Sequence, residues 1–441
     1  MPPPPGPRAP MIAQTASFLR RPFRFMTRCH QRYGDVFSVR LGFTGPGRGI
    51  VVGSSALVRE VFLADGETFS GGLGNEPLRP IMGDNSVGLL DGARHARQRR
   101  LLMPPLHGER MRAYADTMRD VTLRHAASWP RGPFPLLPRL LQITLEIILR
   151  TVFGLEGDEL DELRDRLGRL LAVLANPMVL MMPALQRDLP LSPWRRFLRE
   201  RAATDELLYR RIARARAAPP GKEDILTLLV HAVDDAGAPM TDVELRDELV
   251  TLLLAGHETS ATSLAWVFEQ LLAHEDVLAG LRRELDEVVG PGPLQAAHLP
   301  RLERLEAAIR EALRVRPAAP GAFRKTTATT KLGGYEIPAG SVVLASSFLA
   351  HRQPEVYPEP ERFDPVRFLG TKPDAYAWIP FGGGSRRCIG VAYAIYEMKV
   401  VCATLLAGMH LEAAQRLPAT VTCRAVFHSP AGGLRVVARR S

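Results

Sequence analysis

The sequence predicts one mainly α domain with minor β structure, spanning residues 1–441, and three observations carry the prediction. Long helical patterns alternate with short loops through the middle and C-terminal parts of the chain. Strand-like pieces are confined to Val36–Leu41, Ile50–Val52, Lys331–Ser346 and the region after Thr420. The capping box Thr241-Asp242-Val243-Glu244 opens an apolar run that reads as one helix past Trp266, as far as Leu272. At about 1.5 Å per residue that helix would cross most of the molecule. By length alone the chain could hold about three average domains, yet no polar linker and no internal repeat divides it.

Taken in order, the chain opens with the proline-rich stretch Pro2–Pro10, which cannot be helical and reads as an extended surface segment over residues 1–12. The first two strands follow, joined by a Gly-x-Gly-x-Gly turn at Gly45, Gly47 and Gly49. A dinucleotide fingerprint needs a helix after its glycines, and here a strand follows, so a hairpin is predicted. Asp91–Arg100 reads as a basic helix with His95 and Arg99 one turn apart on one face. The apolar run Leu170–Leu185 contains Asn176, Pro177 and Pro183 and is shorter than the roughly 20 residues a bilayer span needs; it reads as a lid over a pocket or as core. Glu311 and Arg314 lie three apart on a helix that Pro317 ends. Gln353–Pro380 is rich in proline and aromatics without a period, which predicts an ordered meander.

A hydrophobic content of 46% with 24% charged residues describes an ordinary globular core. The formal net charge of +10 rests on arginine, since only Lys222, Lys325, Lys331, Lys372 and Lys399 are lysines. The arginines read as dispersed among Asp and Glu, which argues against nucleic acid and suits an acidic protein partner. Cysteines 29, 388, 402 and 423 form no CxxC pair and no zinc cluster. Together with the lack of a transmembrane or signal pattern, this predicts a cytoplasmic protein without disulfides.

Two stretches carry chemistry. In Phe381–Gly390, Cys388 sits in a loop with Gly382, Gly383, Gly384 and Gly390, ahead of an apolar helical run from Val391 to about Leu406. Glycines admit close approach and unusual dihedrals, and the N–H groups opening the helix would stabilise a thiolate. The residue types leave two readings, a metal-bound thiolate and a buried free cysteine. In the long helix, Ala255-Gly256-His257-Glu258-Thr259 places a glycine and an acid inside an apolar stretch, each at a cost in stability. Either Thr259 bonds back to a carbonyl in a local kink, or the group handles a small ligand and protons.

Phe381, Gly384, Arg386, Cys388 and Gly390 form the pattern Phe-x-x-Gly-x-Arg-x-Cys-x-Gly, which resembles the haem-binding signature of the cytochrome P450 family. Ala-Gly-x-Glu-Thr at 255–259 is similar to the family's oxygen-activation motif, His95-x-x-x-Arg99 to its propionate clamp, and Glu311-x-x-Arg314 with Pro360-Glu361-Arg362-Phe363 to its structural motifs. Leu101–Met111 resembles a soluble bacterial branch. The resemblance implies a triangular helical prism with small sheets, and haem b held between the long helix and the cysteine loop. Cys388 would be the axial ligand, with His95, Arg99, Arg324 and Arg386 on the haem carboxylates. Ala255 and Gly256 would leave room for O2, while Thr259 and Glu258 handle protons and Glu311, with an arginine such as Arg362, fixes the meander.

The same resemblance places the substrate among Gly71–Leu90, Leu254, Ala255, the stretch Ala318–Phe323 with Ala319, Gly321 and Ala322, and the turn Val426–Pro430 with Phe427. These small or apolar residues imply a lipophilic substrate such as a terpenoid, fatty acid or steroid-like compound. Electrons would come from a ferredoxin or flavodoxin-type donor with its reductase, because the chain has no flavin or nicotinamide module. The competing readings are a peroxide-using or isomerising haem-thiolate enzyme and a non-catalytic haem sensor.

Overall fold

The computed structural model describes residues 3–42, 44, 47–174, 186–218, 224–371 and 373–440. Its helices are α1 Met11–Arg20, α2 Pro22–Tyr33, α3 Ser55–Leu63, α4 Gly71–Gly74, α5 Arg79–Met82, α6 Gly92–Leu102, α7 Tyr114–Ala127 and α8 Leu136–Phe153. They continue with α9 Gly157–Leu174, α10 Pro193–Ala217, α11 Ile225–Val230, α12 Asp242–Ala273, α13 Glu275–Val288, α14 Glu303–Val315, α15 Ser347–Ala350 and α16 Val391–Gly408. The strands are β1 Val36–Val39, β2 Gly49–Val52, β3 Phe69–Ser70, β4 Phe134–Pro135, β5 Ala322–Thr326 and β6 Thr330–Leu332. The rest are β7 Tyr335–Ile337, β8 Val342–Ala345, β9 Met409–Ala413, β10 Val421–Arg424, β11 Phe427–Pro430 and β12 Arg435–Arg440. The predicted mainly α class with small sheets is what the fold has.

α12 forms as the capping box predicts, with both reciprocal bonds between Thr241 and Glu244 present. It is buried on nearly every side, as a helix through the centre of a large core must be. α8 lies along it: Thr144 Oγ1 donates to the His257 carbonyl at 3.1 Å, and His257 Nε2 lies 3.0 Å from the Leu141 carbonyl. α16 is long and apolar enough to cross a bilayer, but it is mostly buried and belongs to the same core. Each Leu or Phe fully buried there contributes about 1.5–3 kcal/mol.

The largest sheet has the order β1-β2-β8-β5-β3, with β2 and β8 parallel and its other pairs antiparallel. Both faces are covered, and the period-2 alternation of the strands sorts them. Phe37, Val39 and Val51 pack with α1 and α2, while Val36, Ile50 and Val52 pack with α3. A second sheet runs β4-β12-β9, and β6-β7 and β10-β11 are separate pairs.

Three expectations are corrected. The extended start ends at Pro10, because α1 begins at Met11. Nor does that segment lie loosely on the surface: Pro4 is buried, and Ser38 of β1 donates through its N–H to the Pro5 carbonyl at 2.7 Å and through its hydroxyl to Pro4 at 3.0 Å. A proline lacks a donor but its carbonyl still accepts, so it suits a sheet edge. Finally, the arginines are not evenly interleaved with acids, since the first acidic residue of the chain is Asp35.

The meander of residues 353–380 is irregular apart from a short 3₁₀ turn at Pro365–Phe368. Glu311 and Arg314 hold it, both fully buried and paired through two contacts of 2.7 Å. Arg314 also donates to the carbonyls of His351, Pro360 and Arg362, while Glu311 accepts from the Asp364 N–H. Arg362 therefore contributes its carbonyl; its side chain is exposed and pairs with Glu359. The guanidinium nearest Glu311 from the meander is Arg367, at 3.5 Å. The apolar run Leu170–Leu185, expected as lid or core, lies outside the described residues from 175 onward, as do 43, 45 and 46 of the hairpin turn.

Candidate active site

The cysteine loop is shaped by what it packs on. Gly382 and Gly384 adopt φ of 69° and 66°, which favours glycine. A Cβ on Gly384 would lie 2.6 Å from the Phe62 carbonyl oxygen, and one on Gly383 would lie 2.5 Å from the Phe62 ring at the end of α3. The glycines thus seat the loop on α3, whereas a Cβ on Gly390 would meet nothing. The Cys388 N–H donates to the Phe381 carbonyl at 2.9 Å and closes the loop. Cys388 itself is accessible, in a cleft of about 590 Å³ shared with Arg99, Arg387, Tyr396 and Lys399. Although the sulfur faces the cleft, the protein packed around it desolvates it and raises its thiol pKa, while the Gly390 N–H at the start of α16, Arg99 and Arg387 act to lower it. A thiolate there is held by a backbone donor and two cations.

A second set of groups converges on the same place. His95 and Arg99 are on α6 as the spacing predicts, and His95 is buried. Burial first, then Arg386 and Arg99, push its pKa down to about 4, so near neutrality it is an uncharged ring that can donate one N–H. Arg324 of β5 is buried, with Nε 2.9 Å from Asp65 Oδ1 and its guanidinium over the Phe62 ring. Arg386 lies 3.3 Å from Asp65 Oδ2 and also engages Asp91 and the Leu90 carbonyl. A Cβ on Gly71 would lie 2.4 Å from the Arg386 side chain, so that glycine admits the arginine. Three arginines against two aspartates leave a cationic surplus beside a neutral histidine.

α12 supplies the third part. Between Leu245 and Leu271 the residues not buried are Leu252, Leu254, Ala255, Gly256 and Thr259. Leu252, Ala255, Gly256 and Thr259 follow helical spacing, so one stripe of a buried helix borders open space. Thr259 Oγ1 donates to the Ala255 carbonyl, the back-bond expected of a kink, yet α12 continues unbroken to Ala273. Its hydroxyl proton is thereby used, and it offers the open side an acceptor lone pair. Gly256 differs from its expected use: a Cβ there would lie 2.4 Å from Cδ1 of Ile148 on α8. Its missing side chain admits a neighbouring helix rather than a small ligand. Glu258 is buried and ion-paired to Arg424 of β10 at 2.7 Å. Desolvation raises its pKa and Arg424 opposes that.

The stretches expected around the substrate are joined by direct contacts. The His428 N–H donates to the Ala318 carbonyl at 2.7 Å, linking the turn at Phe427 to the stretch holding Ala319, Gly321 and Ala322. A Cβ on Gly74 would lie 2.8 Å from the Phe323 backbone, so α4 abuts β5. Thr251 Oγ1 donates to Ser86 Oγ at 2.7 Å, and the Val87 N–H to Glu248 Oε1 at 2.8 Å, tying residues 83–91 to α12. Gly321 is fixed by the sheet instead: its φ is 151°, and a Cβ would lie 2.1 Å from the Ala345 carbonyl oxygen.

Sequence reasoning missed Asp65, Asp91 and Arg424, and also Glu397 of α16, which is buried and bonded to Ser260 beside Thr259. None lies near its partner in sequence, and single acids or arginines carry no pattern; only the Cys388-to-Glu397 stretch, one apolar helix with an acid in it, gave a signal. The donor set fits a flat macrocycle with a thiophilic metal at its centre and two carboxylates at its edge. The thiol is accessible, the guanidinium groups exceed their aspartates by one charge, and small residues face the open side of α12.

Comparison with known proteins agrees with that fit. The family model described as Cytochrome P450 matches residues 2–432. A protein of Mycobacterium tuberculosis H37Rv, provisionally named cytochrome P450 138, is 40% identical over 450 residues, covering 99% of this chain and 96% of that protein. Another, provisionally named cytochrome P450 135B1, is 36% identical and covers 99% and 91%. Among solved structures, retinoic acid-bound cyanobacterial CYP120A1 superposes with a TM-score of 0.87 at 25% identity, over 100% of this chain and 99% of that one. The cytochrome P450DA haem domain, with a TM-score of 0.86 at 23% identity over 100% and 98%, bears on the fold alone. With a thiol loop, a cationic clamp and a helix open along one stripe, matched in family over almost its whole length, the chain belongs to the cytochrome P450 family of haem-thiolate monooxygenases.

Proposed function

We propose that this cytochrome P450 hydroxylates or epoxidises a lipophilic small molecule, of terpenoid, fatty-acid or steroid-like type, using haem b and electrons from a separate ferredoxin or flavodoxin-type donor with its reductase in the cytoplasm. The observation that carries the reading is the open stripe of α12 at Leu252, Ala255 and Thr259, together with the accessible Cys388. Haem, when bound, supplies oxygen binding and activation at its iron. Cys388 is its thiolate ligand, seated by Phe381, Gly384 and the N–H of Gly390. Arg99, Arg324 and Arg386 hold its carboxylates, and neutral His95 adds a hydrogen bond.

On the other side, the lone pair of Thr259 accepts a hydrogen bond from a water and holds it in place beside Ala255. Glu258, held by the partly exposed Arg424 at 2.7 Å, is the group behind it that passes protons on from solvent. The pocket combines Leu254 and Ala255 with the apolar stretches at Ala319, Ala322 and Phe427, which favours a lipophilic substrate. Retinoic acid in CYP120A1 is an isoprenoid chain that ends in a carboxylate and supports the terpenoid end of that range. The exposed cation Arg387 at the Cys388 cleft suits an acidic electron donor.

The test is a lipophilic library screened by the substrate-induced spin shift of the haem spectrum, followed by turnover of the hits. Product that requires both O2 and a reductase supports the reading. Turnover driven by peroxide alone, or isomerisation without O2, would replace it with a peroxygenase or isomerase; no shift with any compound would favour a sensor.

A further inference from the structure

The first 34 residues contain six arginines and no acid. They carry six of the ten net positive charges, leaving four for the other nine-tenths of the chain. On α2 and its cap, Arg21, Arg24, Arg28 and Arg32 are exposed, and their spacing makes one stripe. Its opposite face, Phe23, Met26 and Cys29, is packed into the core with Phe18 of α1. Among the described residues Arg20, Arg21, Arg24, Arg28 and Arg32 have no carboxylate partner, and the first acid of the chain, Asp35, is engaged by His30 at 2.7 Å. Within the fold this arrangement is unfavourable, since like charges a turn apart repel and Arg21 and Arg24 sit at the positive end of the helix dipole. Among the described residues no carboxylate offsets it, and of these arginines Arg32 alone lies over an aromatic ring, that of Tyr33 at 5.6 Å.

Beside the cationic stripe lies an apolar one. α1 turns Gln14 and Phe18 inward, and its outer side shows Met11, Ile12, Ala13 and Ala16, with Ile12 79% exposed. α1 and α2 follow one another directly in the chain and are joined by the edge contact of Phe18 and Phe25 at 6.1 Å, so the two stripes belong to one packed helix pair. Guanidinium groups match phosphate in forked pairs, and exposed aliphatic residues beside them suit the boundary between headgroups and acyl chains. A nucleic acid would use the arginines and leave Met11 and Ile12 in water. We propose that the outer face of α1 and α2 is a docking surface for an anionic phospholipid bilayer, on which the protein lies peripherally.

The test is co-sedimentation of the full haem-loaded chain with vesicles of phosphatidylcholine alone and of phosphatidylcholine mixed with phosphatidylglycerol. Binding to the mixed vesicles only, weakened about tenfold or more at high salt, is the expected result. The triple change Arg21→Gln, Arg24→Gln, Arg28→Gln should reduce that binding by roughly a hundredfold, and Ile12→Ser by several-fold. The matched removal of Arg301, Arg304 and Arg416, exposed elsewhere, should leave it nearly unchanged. An unaltered haem spectrum and urea midpoint in the variants show that they are folded. The proposal is overturned if neither vesicle binds, if both triple variants lose binding equally, or if duplex DNA competes the protein off the vesicles through the same arginines. A loss of reduction by an acidic ferredoxin in the α2 variant, with vesicle binding intact, would assign the face to a protein instead.

Discussion

Thr259 shows how much a single side chain's role depends on its hydrogen bonds. Its proton is committed to the Ala255 carbonyl, so it acts on the open side of α12 as an acceptor only. Replacing it by alanine removes that acceptor without touching Cys388 or the cationic clamp. Thr259→Ala should bind haem and substrate normally, release peroxide, and lower product formed per electron consumed by roughly tenfold. Simultaneous assay of peroxide, product and reductant checks this, and unchanged coupling would remove Thr259 from the proton path. The motif around Thr259 was legible in sequence because its residues are consecutive. Arg424, 2.7 Å from Glu258, was not: a lone arginine on a short strand has no local pattern to betray a partner 166 positions away.

Among the elements, α14 and α16 each carry a buried ionisable group with a measurable consequence. Glu311 on α14 neutralises Arg314, and together they satisfy backbone groups from His351 to Asp364. Glu311→Ala leaves a guanidinium buried and unpaired, which should cost about 3–5 kcal/mol. Urea unfolding measures it, and a loss below about 1 kcal/mol would show that the meander holds without the pair.

Glu397 on α16 is buried, bonded to Ser260, and raised from its ordinary 4.5 to about 8 by desolvation. A raised folded pKa means that the fold keeps a proton the unfolded chain releases. The associated stability is complete below pH 4.5 and is lost as pH rises to about 8. The loss is on the order of 5 kcal/mol. Glu397→Gln has no proton to lose, so its stability should fall less than the wild type's between pH 6 and 9; parallel urea midpoints across that range would refute the assignment.

At the scale of the molecule, unpaired positive charge gathers in two regions, the Cys388 cleft and the N-terminal helices. The cleft at Cys388 has Arg387 open to a partner, whereas Lys399 is held by Glu306 at 2.8 Å. Arg387→Glu should slow reduction by an acidic ferredoxin about tenfold and flatten its salt dependence, with the haem spectrum retained. Stopped-flow reduction over a salt series checks it, and a rate unaffected by either change would place the donor elsewhere. The N-terminal arginines form the other cationic region, and it was missed because the chain's charges were read as an average. A whole-chain balance of +10 hides a segment without acids.

The sequence by itself determined the mainly α class, the span of the central helix, the hairpin, the irregular meander and the contiguous motifs around Cys388, Thr259, His95 and Glu311. Each is written in consecutive residues or in one helical period, where local physics suffices. Only the tertiary structure decided that Gly256 admits Ile148, that Gly383 and Gly384 seat the loop on Phe62, that Arg367 and not Arg362 faces Glu311, and that Asp65 and Asp91 hold Arg324 and Arg386 in the clamp. These are contacts between segments far apart in the chain. Whether a glycine serves a ligand or a neighbouring helix, and whether an arginine is free or already paired, depends on what the fold brings opposite it, and no local pattern records that.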